Sequence, residues 1–301
     1  MRALVTGGAG FIGSHLVDSL AADGVEVHIL DDLSTGRRDN LKGALSHGAH
    51  LHVIDVSEPA VVADIVTAAR PEVVFHLAAQ VDVRKSVSDP AFDTRVNVIG
   101  TVSLLDAARK AGARRVVLAS TSAVYGDPDR FPIPEDSGIA PLSPYGAAKA
   151  AAEDYVGAFE RLYGLSGVAL RFANVYGPRQ DPHGEAGVIA IFCGAKVAGR
   201  SGRIFGDGRQ TRDYIYVGDV VAAFRAAGYS AVSGALNVGT GVETDLLEVA
   251  AMLDLEVRHA EARAGDIGRS CLDPSRAHEA LGWRAEVTLA EGLRRTLAAA
   301  A

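Results

Sequence analysis

Cysteine and long apolar runs are both scarce in this chain. Two cysteines in 301 residues, Cys193 and Cys271, cannot build a disulfide framework, and neither has the spaced partners of a zinc site. A reducing compartment, the cytoplasm, is therefore expected, and no metal. The longest apolar run, Ala186 to Ala195, stops at Lys196, short of the ~18 residues that a membrane span needs. Four glycines interrupt the uncharged stretch within the first 13 residues, which argues against a secretory leader. Positive charge is not concentrated either. Thirty Lys and Arg stand against 37 Asp and Glu, a net charge of −7, and basic residues gather only in pairs such as Arg37-Arg38 and Arg114-Arg115. Nucleic-acid binders cluster cations, so neither nucleic acid nor membrane is expected as a partner.

What the chain does have is alternation. Short apolar runs at residues 2–6, 25–30, 51–54, 73–77 and 115–119 read as buried parallel strands. Helical patterns over 13–22, 59–70 and 91–111 lie between them. Strands separated by a helix's worth of chain predict right-handed βαβ units, hence an α/β fold with a Rossmann-type doubly wound parallel sheet. Beyond about Asn174 the rhythm loosens around Pro178 and Pro182. The expected division is a dinucleotide-binding domain over 1–173 and a smaller C-terminal substrate lobe over 174–301, with the chain returning to the first domain around 209–239.

Gly7-Gly8-Ala9-Gly10-Phe11-Ile12-Gly13 sits between the first strand and the first helix, the context a pyrophosphate loop requires. Gly7 permits the turn, Gly10 admits the phosphates, and Gly13 allows close helix–sheet packing, while the helix N-terminus faces the anion. Asp31 ends the second strand, where a carboxylate accepts hydrogen bonds from ribose hydroxyls and repels a 2′-phosphate. NAD is favoured over NADP, although Arg37 and Arg38 are cations of the kind that serve a 2′-phosphate.

Tyr145-Gly146-Ala147-Ala148-Lys149 opens a helix after Pro144. The i, i+4 spacing puts phenol and ammonium on one face, and the lysine charge is expected to lower the tyrosine pKa, making it a general base. Ser120-Thr121-Ser122 follows the fifth strand, at the carboxyl end where open α/β sheets place ligands. A hydroxyl there suits the oxygen that alternates between alcohol and ketone.

Further segments are Leu77-Ala78-Ala79-Gln80, Arg171-Phe172-Ala173-Asn174-Val175-Tyr176-Gly177-Pro178-Arg179, and Gly206-Asp207-Gly208 followed by Arg212-Asp213-Tyr214. Taken together, these segments resemble the extended short-chain dehydrogenase/reductases over nearly the whole chain. The likeness is to the NAD-dependent nucleotide-sugar epimerase/dehydratase group, and within it most to the UDP-glucose 4-epimerases. The resemblance implies that Thr121 bonds the sugar O4, that Tyr145 is the catalytic base, and that Lys149 holds the nicotinamide ribose. It implies an NAD site formed by Gly7, Gly10, Phe11, Ile12, Gly13, Asp31, Asp32, Ser34, Thr35, Gly36, Asp55, Val56, Leu77, Ala78, Ala79, Gln80, Asn97 and Phe172, besides Tyr145 and Lys149. For the UDP-sugar it implies Thr121, Ser122, Tyr145, Asn174, Val188, Ile204, Gln210, Arg212, Arg263 and Asp266. Two arginines suit a pyrophosphate on chemical grounds as well. A homodimer paired through helices is also implied, with the Ala-rich segment from Gly146 to Tyr163 as the contributor.

Dehydratases of the group carry Asp-Glu directly after the catalytic threonine, and UDP-glucuronate decarboxylases a glutamate at the second position. Here those positions are Ser122 and Ala123, which removes the acid–base group for elimination. The expected outcome is 4-epimerisation with NAD regenerated in each cycle. UDP-glucose/UDP-galactose is the default substrate pair. UDP-glucuronic acid remains open, needing a cation near C6 (Arg84, Lys85, Arg179 and His183 are candidates), as does a UDP-N-acetylhexosamine, which the small Ser270 would admit. A dehydratase, a net reductase and a catalytically silent dinucleotide sensor are the other readings.

Overall fold

The structure, a computed structural model, describes residues 1–182, 187–262 and 267–300. Seven strands form one parallel sheet: β1 (Arg2–Thr6), β2 (Glu26–Asp31), β3 (His50–Val53), β4 (Val73–His76), β5 (Arg115–Thr121), β6 (Ser166–Phe172) and β10 (Gly234–Val238). Their order is β10-β6-β5-β4-β1-β2-β3. The chain winds outward from β1 in one direction and from β4 in the other, so a crevice opens between the ends of these two neighbours.

Both faces of the sheet are covered, which is why its strands read as unbroken apolar runs. Val5, Ile29, Phe75, Val117 and Leu170 face one core with α1 (Phe11–Ala22) and α9 (Val217–Tyr229). Leu4, Leu30, Val74, Val116 and Leu118 face the other with α3 (Pro59–Ala69), α6 (Gly100–Lys110) and α7 (Pro144–Tyr163). Between β3 and α3 no long element intervenes, while α2 (Lys42–Ser46) bridges β2 and β3.

The segment 91–111, read from sequence as one helix, is helical without interruption over 90–110 but changes pitch within it. α4 (Val83–Ser88) and α5 (Pro90–Thr94) start at side-chain caps, with Asp82 accepting from the Lys85 amide and Asp89 from the Phe92 amide. A π turn over Arg95–Ile99 then precedes α6. The two caps separate α4 from α5, and the π turn widens the backbone inside the continuous helix that follows.

A second body follows. β7 (Asn174–Tyr176), β9 (Thr211–Tyr216), β11 (Glu243–Asp245) and β13 (Arg269–Ser270) make a small mixed sheet, and β8 (Gly202–Phe205) pairs with β12 (Val257–Ala260). Phe192 of α8 (Val188–Val197), Ile204, Tyr214, Val249 of α10 (Leu246–Met252) and Leu293 of α12 (Leu289–Ala300) form its core. Meanwhile α9 packs on α1, β10 pairs with β6, and α11 (Ser275–Leu281) lies beside β10.

Arg115 fastens this return. Wholly buried, its guanidinium donates to the carbonyls of Ala227 (2.6 Å) and Val232 (2.8 Å) and to the hydroxyls of Ser166 and Ser230. Replacing it by methionine fills the volume but leaves the Val232 carbonyl without its donor, while Ala227 keeps only the longer bonds from Ser230. Arg115→Met is expected to lower unfolding stability by about 3 kcal/mol, measured by urea denaturation; a change within error would show that the return segment is held by packing alone.

Candidate active site

The crevice at the switch point is lined first by the glycine loop. Gly7 has φ +67°, and a Cβ on Gly13 would sit 2.1 Å from the Gly7 carbonyl oxygen. Only glycine permits that approach of α1 to its own turn. No side chain caps α1, so its first-turn amides, those of Phe11 and Ile12 included, present their dipole to the crevice. The opposite wall is the turn after β4, where the Leu77 and Ala78 amides both donate to Thr6 Oγ1 (3.2 and 3.1 Å).

Asp31 is 8% exposed, and each of its oxygens accepts one backbone amide, from Ala9 (2.8 Å) and from Leu33 (2.9 Å). A carboxylate has about four acceptor positions, so capacity remains for a ribose diol. Burial raises the Asp31 pKa, with the amides of Leu33, Ala9 and Gly10 opposing it. Asp32 takes the Ser34 amide and hydroxyl, and Gly36 lies tight against the Asp31 carboxylate. Beyond it, the exposed Arg37 pairs with Asp181 (4.0 Å). Asp55 accepts from the Ser57 amide, and Val56 is buried. The cradle thus fits a dinucleotide without a 2′-phosphate: open helix amides, an approach barred to any Cβ, and a carboxylate with lone pairs to spare.

Asn97 and Gln80 turn out to be spent within the protein. The Asn97 amide group accepts from the Gln80 amide (3.0 Å) and donates to the Gln80 carbonyl (2.9 Å) and to Asp93 (3.0 Å). Gln80 Nε2 donates to Asp93 as well (2.9 Å). These two residues shape the turn that carries Leu77, Ala78 and Ala79 rather than reaching outward themselves.

Thr121 ends β5 and is the register partner of Phe172 at the end of β6. Its hydroxyl oxygen accepts from the Ala123 amide (3.1 Å), starting the short 3-10 turn Ser122–Val124. α7 begins at Pro144 behind Ser143, whose hydroxyl accepts from the Gly146 amide (3.1 Å). A Cβ on Gly146 would lie 2.7 Å from the Ala123 carbonyl. That approach brings Tyr145 to Thr121, whose hydroxyl acts on the Tyr145 phenol. One turn on, Lys149 is 4% exposed and donates to the Ala119 carbonyl (3.0 Å).

The electrostatics correct one expectation. Burial pushes the Tyr145 phenol up to about 12; the Thr121 hydroxyl opposes this and the Asp93 charge reinforces it. Burial also pulls the Lys149 ammonium down to about 8, against the pull of Asp93 and Glu153. In the chain by itself, desolvation outweighs the lysine charge that the i, i+4 spacing was expected to bring to bear on the tyrosine.

Behind this pair stands a network that no motif announced. Ser120 donates to Glu153, which pairs bidentately with Arg171 (2.6 Å); Arg171 donates to the Tyr125 hydroxyl (2.8 Å), and Tyr125 to Asn237 (2.7 Å). Glu153 is four residues after Lys149 and could have been found by helix spacing. Arg171 and Asn237 arrive from other strands, so only the fold reveals them. His76 lies buried between the hydroxyls of Thr6 (2.7 Å) and Thr101 (2.9 Å), and burial holds it down to about 3, a neutral structural link.

The described second-lobe candidates lie on β7, α8, β8, β9 and the approach to β9. Asn174 on β7 is exposed and pairs with β9 two residues from Arg212. Val188 opens α8, Ile204 is buried in β8, and Gln210 donates to the Phe205 carbonyl (3.0 Å). Arg212 makes no ion pair among the described residues, and Ser270 is its register partner on β13. Arg263, Asp266 and His183 lie outside the described residues.

A family described as GDP-mannose 4,6 dehydratase matches residues 4–296. The chain is 51% identical to the UDP-glucose 4-epimerase of Mycolicibacterium smegmatis over 305 residues, covering 99% of this chain and 97% of that one. It is similar to the crystal structure of the Thermotoga maritima UDP-glucose 4-epimerase with UDP-glucose, at TM-score 0.95 and 43% identity over 99% and 98% of the two chains. The Thermus thermophilus UDP-glucose 4-epimerase complex with NAD is likewise similar, at TM-score 0.91 and 43% identity over 100% and 99%.

Gly13→Ala should abolish dinucleotide retention, because the new methyl displaces the Gly7 carbonyl. Absorbance of the purified protein and release of dinucleotide on denaturation are the readouts; full retention would dismiss the glycine loop as the cradle.

Proposed function

This chain belongs to the NAD-dependent epimerase/dehydratase family of extended short-chain dehydrogenase/reductases, and we propose that it interconverts UDP-glucose and UDP-galactose by inversion at C4. The observation that carries the reading is the juxtaposed Thr121–Tyr145 pair, with Lys149 one turn behind, beside a cradle suited to NAD. When bound, NAD supplies a reversible hydride acceptor for C4, so oxidation and reduction balance within one turnover.

The protein's share of the chemistry follows from its own atoms. The two hydroxyls of Thr121 and Tyr145 define where a sugar O4 is held. Tyr145 takes the O4 proton as the carbinol becomes a carbonyl and gives it back on the return. Lys149, charged below about pH 8, favours the phenolate and offers its remaining protons to the nicotinamide ribose. Since Ser122 and Ala123 bring no carboxylate after Thr121, no elimination competes, and turning the sugar before reduction gives the epimer.

The division of labour is part of the same proposal. Residues 1–173, with the return over 209–239, hold the coenzyme through Gly7 to Gly13, Asp31 to Gly36, Asp55, Val56, Leu77 to Ala79 and Phe172, with Gln80 and Asn97 shaping the turn behind them. The lobe over 174–301 holds the uridine diphosphate through Asn174, Val188, Ile204, Gln210, Arg212, Arg263 and Asp266. Holding the diphosphate through cations while gripping the hexose lightly lets the hexose turn. A cytoplasmic homodimer is supported by two unpaired buried cysteines and by Tyr155, Leu162 and Tyr163, exposed at i, i+7 and i+8 along α7. Light scattering measures the dimer; a monomeric mass at working concentration would remove it.

Purified protein without added reductant should convert UDP-galactose to UDP-glucose, and inactivity on that pair would refute the assignment. Tyr145→Phe should lower kcat by about 10²–10⁴-fold while NAD remains bound; undiminished turnover would strip the phenol of its role.

A further inference from the structure

Asp93 is a carboxylate that the reaction as described does not use. It sits on α5, fully buried. Oδ1 accepts from Gln80 Nε2 (2.9 Å) and Asn97 Nδ2 (3.0 Å), while Oδ2, equally buried, has no hydrogen-bond partner among the described residues. A buried carboxylate oxygen without a donor is costly unless a cation offsets it. α5 packs against α7, and the ammonium of Lys149 is the cation whose field reaches Asp93.

We propose that Asp93 is a positioning residue for the epimerisation, its buried carboxylate serving as the counter-charge that keeps Lys149 an ammonium beside Tyr145. This rests on the function proposed above. The other groups facing Lys149 do not replace it. On α7, Tyr145 is a neutral phenol, and Glu153 is committed to Arg171 on β6 by a bidentate bond. His76 on β4 is held neutral between two hydroxyls. Lys85 of α4 and Arg95 of the π turn both lie over the Phe92 ring, at 4.2 and 5.4 Å. Among the described residues, Asp93 is left as the carboxylate near Lys149 without another cation paired to it. Burial raises the Asp93 pKa; Gln80, Lys149 and Asn97 oppose this, the two amides by donating to one oxygen and leaving the other to act on Lys149. The same two residues shape the Leu77–Gln80 turn, so one hydrogen-bonded triad sets both the coenzyme wall and the charge of the catalytic pair.

Asp93→Asn keeps the shape and the acceptor for Gln80 and Asn97 but removes the charge. The expected result is a folded, NAD-retaining protein with near-normal kcat below about pH 7, its alkaline limb displaced downward by about one pH unit. In a Lys149→Arg background, where the cation cannot titrate, D93N should leave the profile unmoved. The Lys149 Nζ signal in 15N-lysine NMR of the full-length protein should show the same drop in midpoint, a readout that holds whether or not UDP-glucose proves to be the substrate. An unchanged midpoint, or an equal loss of activity at every pH, overturns the proposal. Should D93N not fold, the wild-type protein decides: the Asp93 Cγ resonance must be that of a carboxylate at neutral pH and respond at the Lys149 midpoint, and a protonated carboxyl there overturns it.

Discussion

The contact on which the site depends is the approach of α7's first turn to the end of β5. Gly146 lies where a methyl would strike the Ala123 carbonyl, and Ser143 caps the helix at that point. This fixes Tyr145 against Thr121, and helix periodicity then carries Lys149 to the Ala119 carbonyl and Glu153 to Ser120. One backbone distance therefore governs three functional side chains.

That geometry buries charge, and the surroundings answer the desolvation. Burial works against the phenolate and the ammonium together, moving one up and the other down. Around them the protein places carboxylates that are themselves fastened, Glu153 by Arg171 and Asp93 by Gln80 and Asn97. Fixed dipoles and charges need no rearrangement when a proton moves, which is the physical advantage of such a shell.

Much of this was legible in the residues themselves. The strands of the first half announced the sheet because burial on two faces makes them uniformly apolar, and the Gly7–Gly13 loop and the Tyr145/Lys149 spacing are local patterns that survive without a fold. The π turn at 95–99 was not legible, because the apolar period of the segment is that of an ordinary α-helix. Asp93 escaped for a different reason. Its partners Gln80 and Asn97 meet it across a turn, and an aspartate in a helical stretch resembles any solvated acid until its burial is known. Arg171 and Asn237 lie on strands remote in sequence, and only the sheet order places them behind the catalytic pair.

The sheet order has an implication for biogenesis. β6 gains its outer neighbour only when β10 is added, long after the glycine loop and the catalytic helix have been synthesised. A nascent chain ending inside the second lobe exposes an unpaired apolar edge, the kind of template that recruits other chains. Arg115 waits with it, its carbonyl acceptors at Ala227 and Val232 not yet made. Translation must pass the end of β10 before this nucleus can close against aggregation.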